Sequence, residues 1–145
     1  MAGSGTIIKV LVVDDDKNVL DLIRAMLESL GIEVYPALNG SAALAVLAKK
    51  EINILILDLG IPGIGGWDLL RQIRRNPRWL HLPVMICTQS RNKEDILQAR
   101  QLGTQEYLLK PFDRAMFLAK FKNLLNQALV MARTTAPVFS QAASP

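Results

Sequence analysis

The chain has 145 residues, half of them hydrophobic, which is enough for one compact domain with a core and too few for two of ordinary size. No apolar run approaches the roughly 20 residues of a membrane span, and Met1-Ala2-Gly3-Ser4-Gly5 has neither part of a secretory signal, so a cytoplasmic protein without a membrane association is expected. Seventeen basic residues stand against 13 acidic ones, and the single Cys87, inside the run Val84-Met85-Ile86-Cys87, excludes an internal disulfide or a cysteine metal centre and is expected to pack in the core.

After a flexible lead over 1–6, the run Ile7-Ile8-Lys9-Val10-Leu11-Val12-Val13 is too apolar and β-branched for anything but a buried strand. The spacing of Val19, Leu22, Ile23, Met26, Leu27 and Leu30 predicts a helix, with Asp16 as its cap and Gly31 as its stop. A second strand is expected over 32–35, closed by Pro36, then a helix over 41–50 and a third buried strand over 52–57. Residues 58–66, rich in Gly and Pro, form a loop, and a third helix opens at Trp67 and ends at Asn76-Pro77. A strand over 82–87, a helix over 93–102 stopped by Gly103, a strand over 106–109 and a last helix from about Asp113 complete the pattern. The periodicity fades after 132, and 133–145 reads as a disordered tail or linker. Five strands, each followed by a helix, call for an α/β three-layer sandwich on a parallel sheet, with ligand chemistry at the carboxyl ends of the strands.

Asp14-Asp15-Asp16 follows the first strand, Asp58 the third and Lys110 the fifth, while Thr88 closes the fourth, so this fold gathers them on one rim. Three carboxylates with no basic residue before Lys17 repel one another unless a cation is present, and a hard divalent ion such as Mg²⁺, bound through oxygen, removes that repulsion. Taken alone, an acid after a strand is as readily a helix cap. Asp58, at the mouth of the sheet, can act as a nucleophile toward phosphorus. Lys110 can place a point charge on phosphoryl oxygens, and Thr88 can donate a hydroxyl proton to one of them. Setting these four acids and Lys110 aside leaves 16 basic and nine acidic residues, an acidic pocket on a basic body.

The runs Val12-Val13-Asp14-Asp15-Asp16, Leu57-Asp58-Leu59-Gly60-Ile61-Pro62 with Gly66, Pro83-Val84-Met85-Ile86-Cys87-Thr88 and Tyr107-Leu108-Leu109-Lys110-Pro111-Phe112 together resemble a bacterial response-regulator receiver domain of two-component signalling, over about 7–130 of a domain expected to span 7–132. The resemblance implies a flavodoxin-like (βα)5 fold with strand order 2-1-3-4-5. It implies that Asp58 accepts a phosphoryl group from a histidine kinase or phosphotransfer protein. Asp15, Asp58 and the carbonyl of Gly60 would bind Mg²⁺ directly and Asp14 through water. Thr88 and Lys110 would hold the phosphoryl group, Tyr107 would be an aromatic switch coupled to Thr88, and the Lys110-Pro111 peptide would be cis. Such a domain is a signalling switch that catalyses its own phosphorylation and dephosphorylation without turning over a metabolite. The chain departs from the family at Ile61, where Met is usual, at Gly65, where an acid is usual, and at Gln89, where a small residue is preferred after Thr88. Gln89 is expected to shield an aspartyl phosphate from water, unless its amide holds a water in line instead.

Other readings fit the same residues less well. The run from Gly60 to Gly66 lacks the Lys-Ser/Thr of a phosphate-binding loop. The Asp14-Asp15-Asp16-Lys17-Asn18 run has the alternate acids of a haloacid-dehalogenase-like phosphohydrolase, but Asn18 stands where Thr or Val is usual and no lid domain follows. A pseudo-receiver that binds partners without phosphorylation is opposed by the full acidic, Thr and Lys set. Arg71, Arg74, Arg75 and Arg78 have the spacing of a basic helical stripe, which reads as a solvated face rather than a nucleic-acid surface. His81 reads as a strand-edge residue, and Phe117, Phe121, Leu124 and Leu125 as core. The apolar continuation of the last helix through Met131 leaves open pairing with a second copy as a homodimer or passage to a downstream partner or fused output domain.

Overall fold

The structure, a computed structural model, describes the backbone of residues 7–142 and the side chains of 7–132. The expected lead over 1–6 and the last residues, 143–145, lie outside the described residues. Five strands, β1 (Lys9–Val13), β2 (Glu33–Ala37), β3 (Ile54–Leu57), β4 (Val84–Thr88) and β5 (Glu106–Leu109), alternate with five helices. These are α1 (Lys17–Glu28), α2 (Gly40–Lys49), α3 (Gly66–Arg75), α4 (Lys93–Gln101) and α5 (Arg114–Ala142). The strands pair in parallel in the order β2-β1-β3-β4-β5, so the flavodoxin-like (βα)5 arrangement is the one observed.

Strand alternation divides the core in two. Val10, Val12, Ile54, Ile56, Met85, Cys87 and Leu108 face α1 and α5, whereas Leu11, Val13, Leu55, Leu57, Val84 and Ile86 face the layer of α2, α3 and α4. Both faces of the central strands are therefore buried, which is why β1, β3 and β4 read as unbroken apolar runs. On α5, Phe117, Phe121 and Leu124 are buried, and the rings of Phe112, Phe117 and Phe121 stack in series at 5.5 and 5.9 Å. Removing either of the two fully buried rings should destabilise the domain by about 3–5 kcal/mol.

Several boundaries differ from the expected ones. Pro36 does not close β2 but sits inside it, opposite Val12, because β2 is an edge strand and tolerates a residue that cannot donate to a ladder. On α1, Leu20 rather than Leu22 is buried, and Leu22 and Leu30 are about half exposed. The backbone of α5 runs to Ala142, past the expected boundary at 132. The fading apolar pattern therefore did not mark the end of the helix. Helix α4 is the most lightly seated, with Ala99 its only buried residue. No helix among the described residues is long and apolar enough to cross a membrane.

Candidate functional site

The carboxyl ends of β1 and β3 are neighbours, and the Asp58 N–H extends the ladder by donating to the Val13 carbonyl at 2.9 Å. The Asp14 N–H donates to the Ala37 carbonyl of β2 at 3.0 Å. These bonds bring the two acids to one rim. Across it, the Lys110 N–H donates to the Thr88 carbonyl at 2.9 Å, which carries the lysine to the same end of the sheet. The Lys110-Pro111 peptide is cis.

Asp14 is buried, with Oδ1 accepting from the Asp16 N–H at 2.9 Å and Oδ2 from the Lys110 ammonium at 2.6 Å. Lys110 also donates to Asp58 Oδ2 at 3.1 Å, while Asp58 Oδ1 accepts from the Gly60 N–H at 3.1 Å. Burial raises the pKa of the Asp14 carboxyl, and the Lys110 hydrogen bond opposes it. Burial acts to lower the Lys110 pKa, but its bonds to Asp14 and Asp58 outweigh it and hold the ammonium above its ordinary range. The repulsion expected among the acids is thus relieved in part by Lys110, a contact between residues 96 positions apart that local spacing does not reveal.

Asp14, Asp15 and Asp58 each offer a carboxylate oxygen within 4.8 Å of the others. Two oxygens on one Mg²⁺ lie at most about 4.2 Å apart, twice the Mg–O distance, so a small inward adjustment of side chains suits the set to that ion. All-oxygen donors and the exposure of Asp15, which leaves room for water ligands, also fit a hard ion that keeps part of its hydration. Asp16 is not in this group: its carboxylate accepts from the Asn18 N–H at 2.9 Å and caps α1.

Thr88 is buried at the end of β4, Gln89 after it is exposed, and Gly60 is exposed in the loop past Asp58. Tyr107 is half-buried on β5 and its hydroxyl donates to the Ser90 carbonyl at 3.0 Å. Ser90 Oγ in turn donates to Asp95 Oδ2 on α4 at 2.5 Å. The sequence reading singled out neither Ser90 nor Asp95. The only local signal was Asn92, a capping residue three positions before Asp95, whose side chain accepts from the Glu94 N–H.

Arg71, Arg74 and Arg75 of α3 and Arg78 beyond its end do not form one stripe. Arg74 turns inward and donates to the carbonyls of Leu102, Trp79, Leu80 and Gly103 at 2.7 to 3.1 Å, and burial lowers its pKa. Arg71 pairs with Asp68 at 3.0 Å, and Arg78 lies over the Trp79 ring. Partners that are main-chain carbonyls leave no mark in a sequence, which is why this role was not legible. His81 is exposed in the loop before β4.

The family model for the response regulator receiver domain matches residues 10–122. The regulatory protein VanRc of Enterococcus gallinarum is 34% identical over 119 residues, covering 82% of this chain, which spans about half the length of that relative (50%). The chemotaxis protein CheY-3 of Vibrio cholerae is 32% identical over 120 residues, covering 82% of this chain and 92% of its own. Among solved structures, a putative response regulator from Chloroflexus aurantiacus superposes with a TM-score of 0.77 at 30% identity, over 83% of this chain and 99% of its own. A CheY-like receiver domain from Methanospirillum hungatei gives 0.78 at 25% identity, over 85% and 97%.

Proposed function

This chain belongs to the response regulator receiver family, and from that membership we propose that it is a phosphoacceptor switch whose acceptor is Asp58 and whose folded unit spans about 7–132. The observation that carries the reading is the Lys110 ammonium lying between the carboxylates of Asp14 and Asp58 at the rim of the sheet. An Asp58 oxygen attacks the phosphorus of a phosphohistidine on a kinase or phosphotransfer protein. An O–P bond forms as the P–N bond breaks, and the departing imidazole nitrogen keeps the electron pair. Mg²⁺, held by Asp15, Asp58 and the Gly60 carbonyl and through water by Asp14, would offset the charge shared by carboxylate and phosphoryl oxygens. Lys110 is free to move its positive charge from Asp58 to a phosphoryl oxygen while Asp14 keeps it anchored, and the Thr88 hydroxyl donates to another. Burial of Asp14 and its pairing with Lys110 make it a poor nucleophile, which counts against a phosphohydrolase acting through that residue.

The output reading couples Thr88 to Tyr107, whose hydroxyl bond to Ser90 links β5 to the loop before α4. The phosphorylated domain then engages a downstream protein, a second copy or a fused output domain, in the cytoplasm. Incubating the protein with Mg²⁺ and acetyl phosphate tests the reading by intact mass. One added phosphate on the parent and none on Asp58→Asn is expected, and equal labelling of the two would overturn the assignment.

A further inference from the structure

The loop 58–66 that carries the acceptor is fixed at three places. Ile61 is buried in the core, and Ile64 lies over Gly40 at the start of α2, where a Cβ on Gly40 would run into the Ile64 side chain. The third place is Gly66, the buried first residue of α3, whose N–H donates to the Leu59 carbonyl at 3.3 Å. A Cβ on Gly66 would stand 2.5 Å from Leu59 Cα and 2.9 Å from the carbonyl oxygens of both Asp58 and Leu59. All three are backbone atoms, so no rotation of a side chain clears them. Gly63 and Gly65 are glycine for a different reason, positive φ angles of 81° and 74°, and a Cβ on either has no neighbour within 4 Å. At Gly66 the requirement is space, and the space is against the peptide that joins the acceptor to Leu59.

We propose that Gly66 is a positioning residue for phosphoryl transfer: by carrying no side chain it lets α3 seat the Asp58-Leu59 peptide, and with it the Asp58 carboxylate and the Gly60 carbonyl, where acceptor and metal ligand are needed. This rests on the reading of Asp58 as the acceptor. Ordinary carbon–carbon contact is about 3.5 Å or more, so a methyl group displaces that peptide by about 1 Å. A displacement of that size in a reacting group lowers rates by about 100-fold, and Mg²⁺ tolerates little departure from its coordination distance.

The test compares Gly66→Ala with Gly63→Ala, which strains the same loop by its φ but places no atom against Asp58. Thermal melts check folding, amide shifts of Asp58, Leu59 and Gly60 are recorded without metal, and Mg²⁺ affinity by calorimetry and acetyl phosphate labelling by intact mass follow. Gly66→Ala is expected to fold, to shift those three amides, to bind Mg²⁺ at least about tenfold more weakly and to label about 10- to 100-fold more slowly. Gly63→Ala is expected to stay within about twofold of the parent on the last two, whatever its melting temperature. The proposal is overturned if Gly66→Ala matches the parent, if Gly63→Ala loses as much, or if Gly66→Ala does not fold, which would make Gly66 a residue of the fold alone. A parent that neither binds Mg²⁺ nor takes phosphate would instead remove the functional reading itself, and the proposal with it.

Discussion

The Lys110 ammonium lies closer to Asp14, at 2.6 Å, than to Asp58, at 3.1 Å. The lysine is thus held more closely by the more buried of the two carboxylates than by Asp58. In the metal-free protein Asp14 is nonetheless a burden at neutral pH. Burial raises its pKa above 3.8, so the folded state holds that proton more tightly than the unfolded chain does. Its contribution to stability is fully present below pH 3.8 and is lost as the pH rises through the folded value. Asp14→Asn, uncharged throughout, should therefore melt above the parent at pH 7 without metal, with the gap closing as the pH falls toward 4. A variant less stable than the parent at pH 7 would contradict this.

Asp15 and Asp16 are adjacent but placed for different work. Asp15→Ala is expected to weaken Mg²⁺ binding by about tenfold or more at nearly unchanged stability. Asp16→Ala should lose about 1 kcal/mol with its α1 cap while staying within about twofold of the parent in Mg²⁺ affinity. Calorimetry and urea titrations read the two effects separately, and equal losses of affinity would remove the division of roles.

Gln89 follows buried Thr88 and is itself exposed. The side chain is expected to cover the approach of water to phosphorylated Asp58, and Gly60 offers no side chain to orient an attacking water. Phosphate loss should be faster from Gln89→Ala than from the parent. Slower loss would mean that the amide positions a water, and a change under about twofold, roughly 0.4 kcal/mol in the barrier, that it does neither.

Arg74 holds four carbonyls that belong to the α3–β4 connection and the end of α4. With only Ala99 buried on α4, this clamp should carry much of that helix's attachment. Arg74→Ala is expected to destabilise the domain by about 3 kcal/mol, and Arg74→Lys, which keeps the charge but not the fork, to recover less than half. Urea midpoints and amide exchange over 93–101 measure it, and full recovery by Lys would show that charge alone suffices.

Cys87 lies in the core beneath the site, and burial pushes its thiol up to about 12, with Lys110 opposing and Asp14 and Asp58 adding. At pH 8 the thiolate fraction is then about 10⁻⁴, against about a quarter for an ordinary thiol. Alkylation of the native protein should be more than about 100-fold slower than of the chain in urea. Comparable rates would place the thiol within reach of solvent.

The fold and the outline of the site were legible because both depend on local pattern. Apolar runs too long for an exposed face announced buried parallel strands, helical spacing announced the layers, and an acid, a Thr or a Lys at the end of a run announced a strand-end rim. The sequence also marked Asp16 as a cap, since a cap is a relation between neighbours. It misplaced Pro36, because whether a proline ends a strand depends on that strand's place in the sheet, at an edge here. What only the tertiary structure decided are relations between residues far apart in the chain: Lys110 resting on Asp14, Arg74 gripping the end of α4, and the absence of room at Gly66. Each is fixed by a contact with backbone or with a distant side chain. The order of residues determines such a contact only through the packing of the whole domain, so no window of sequence contains it.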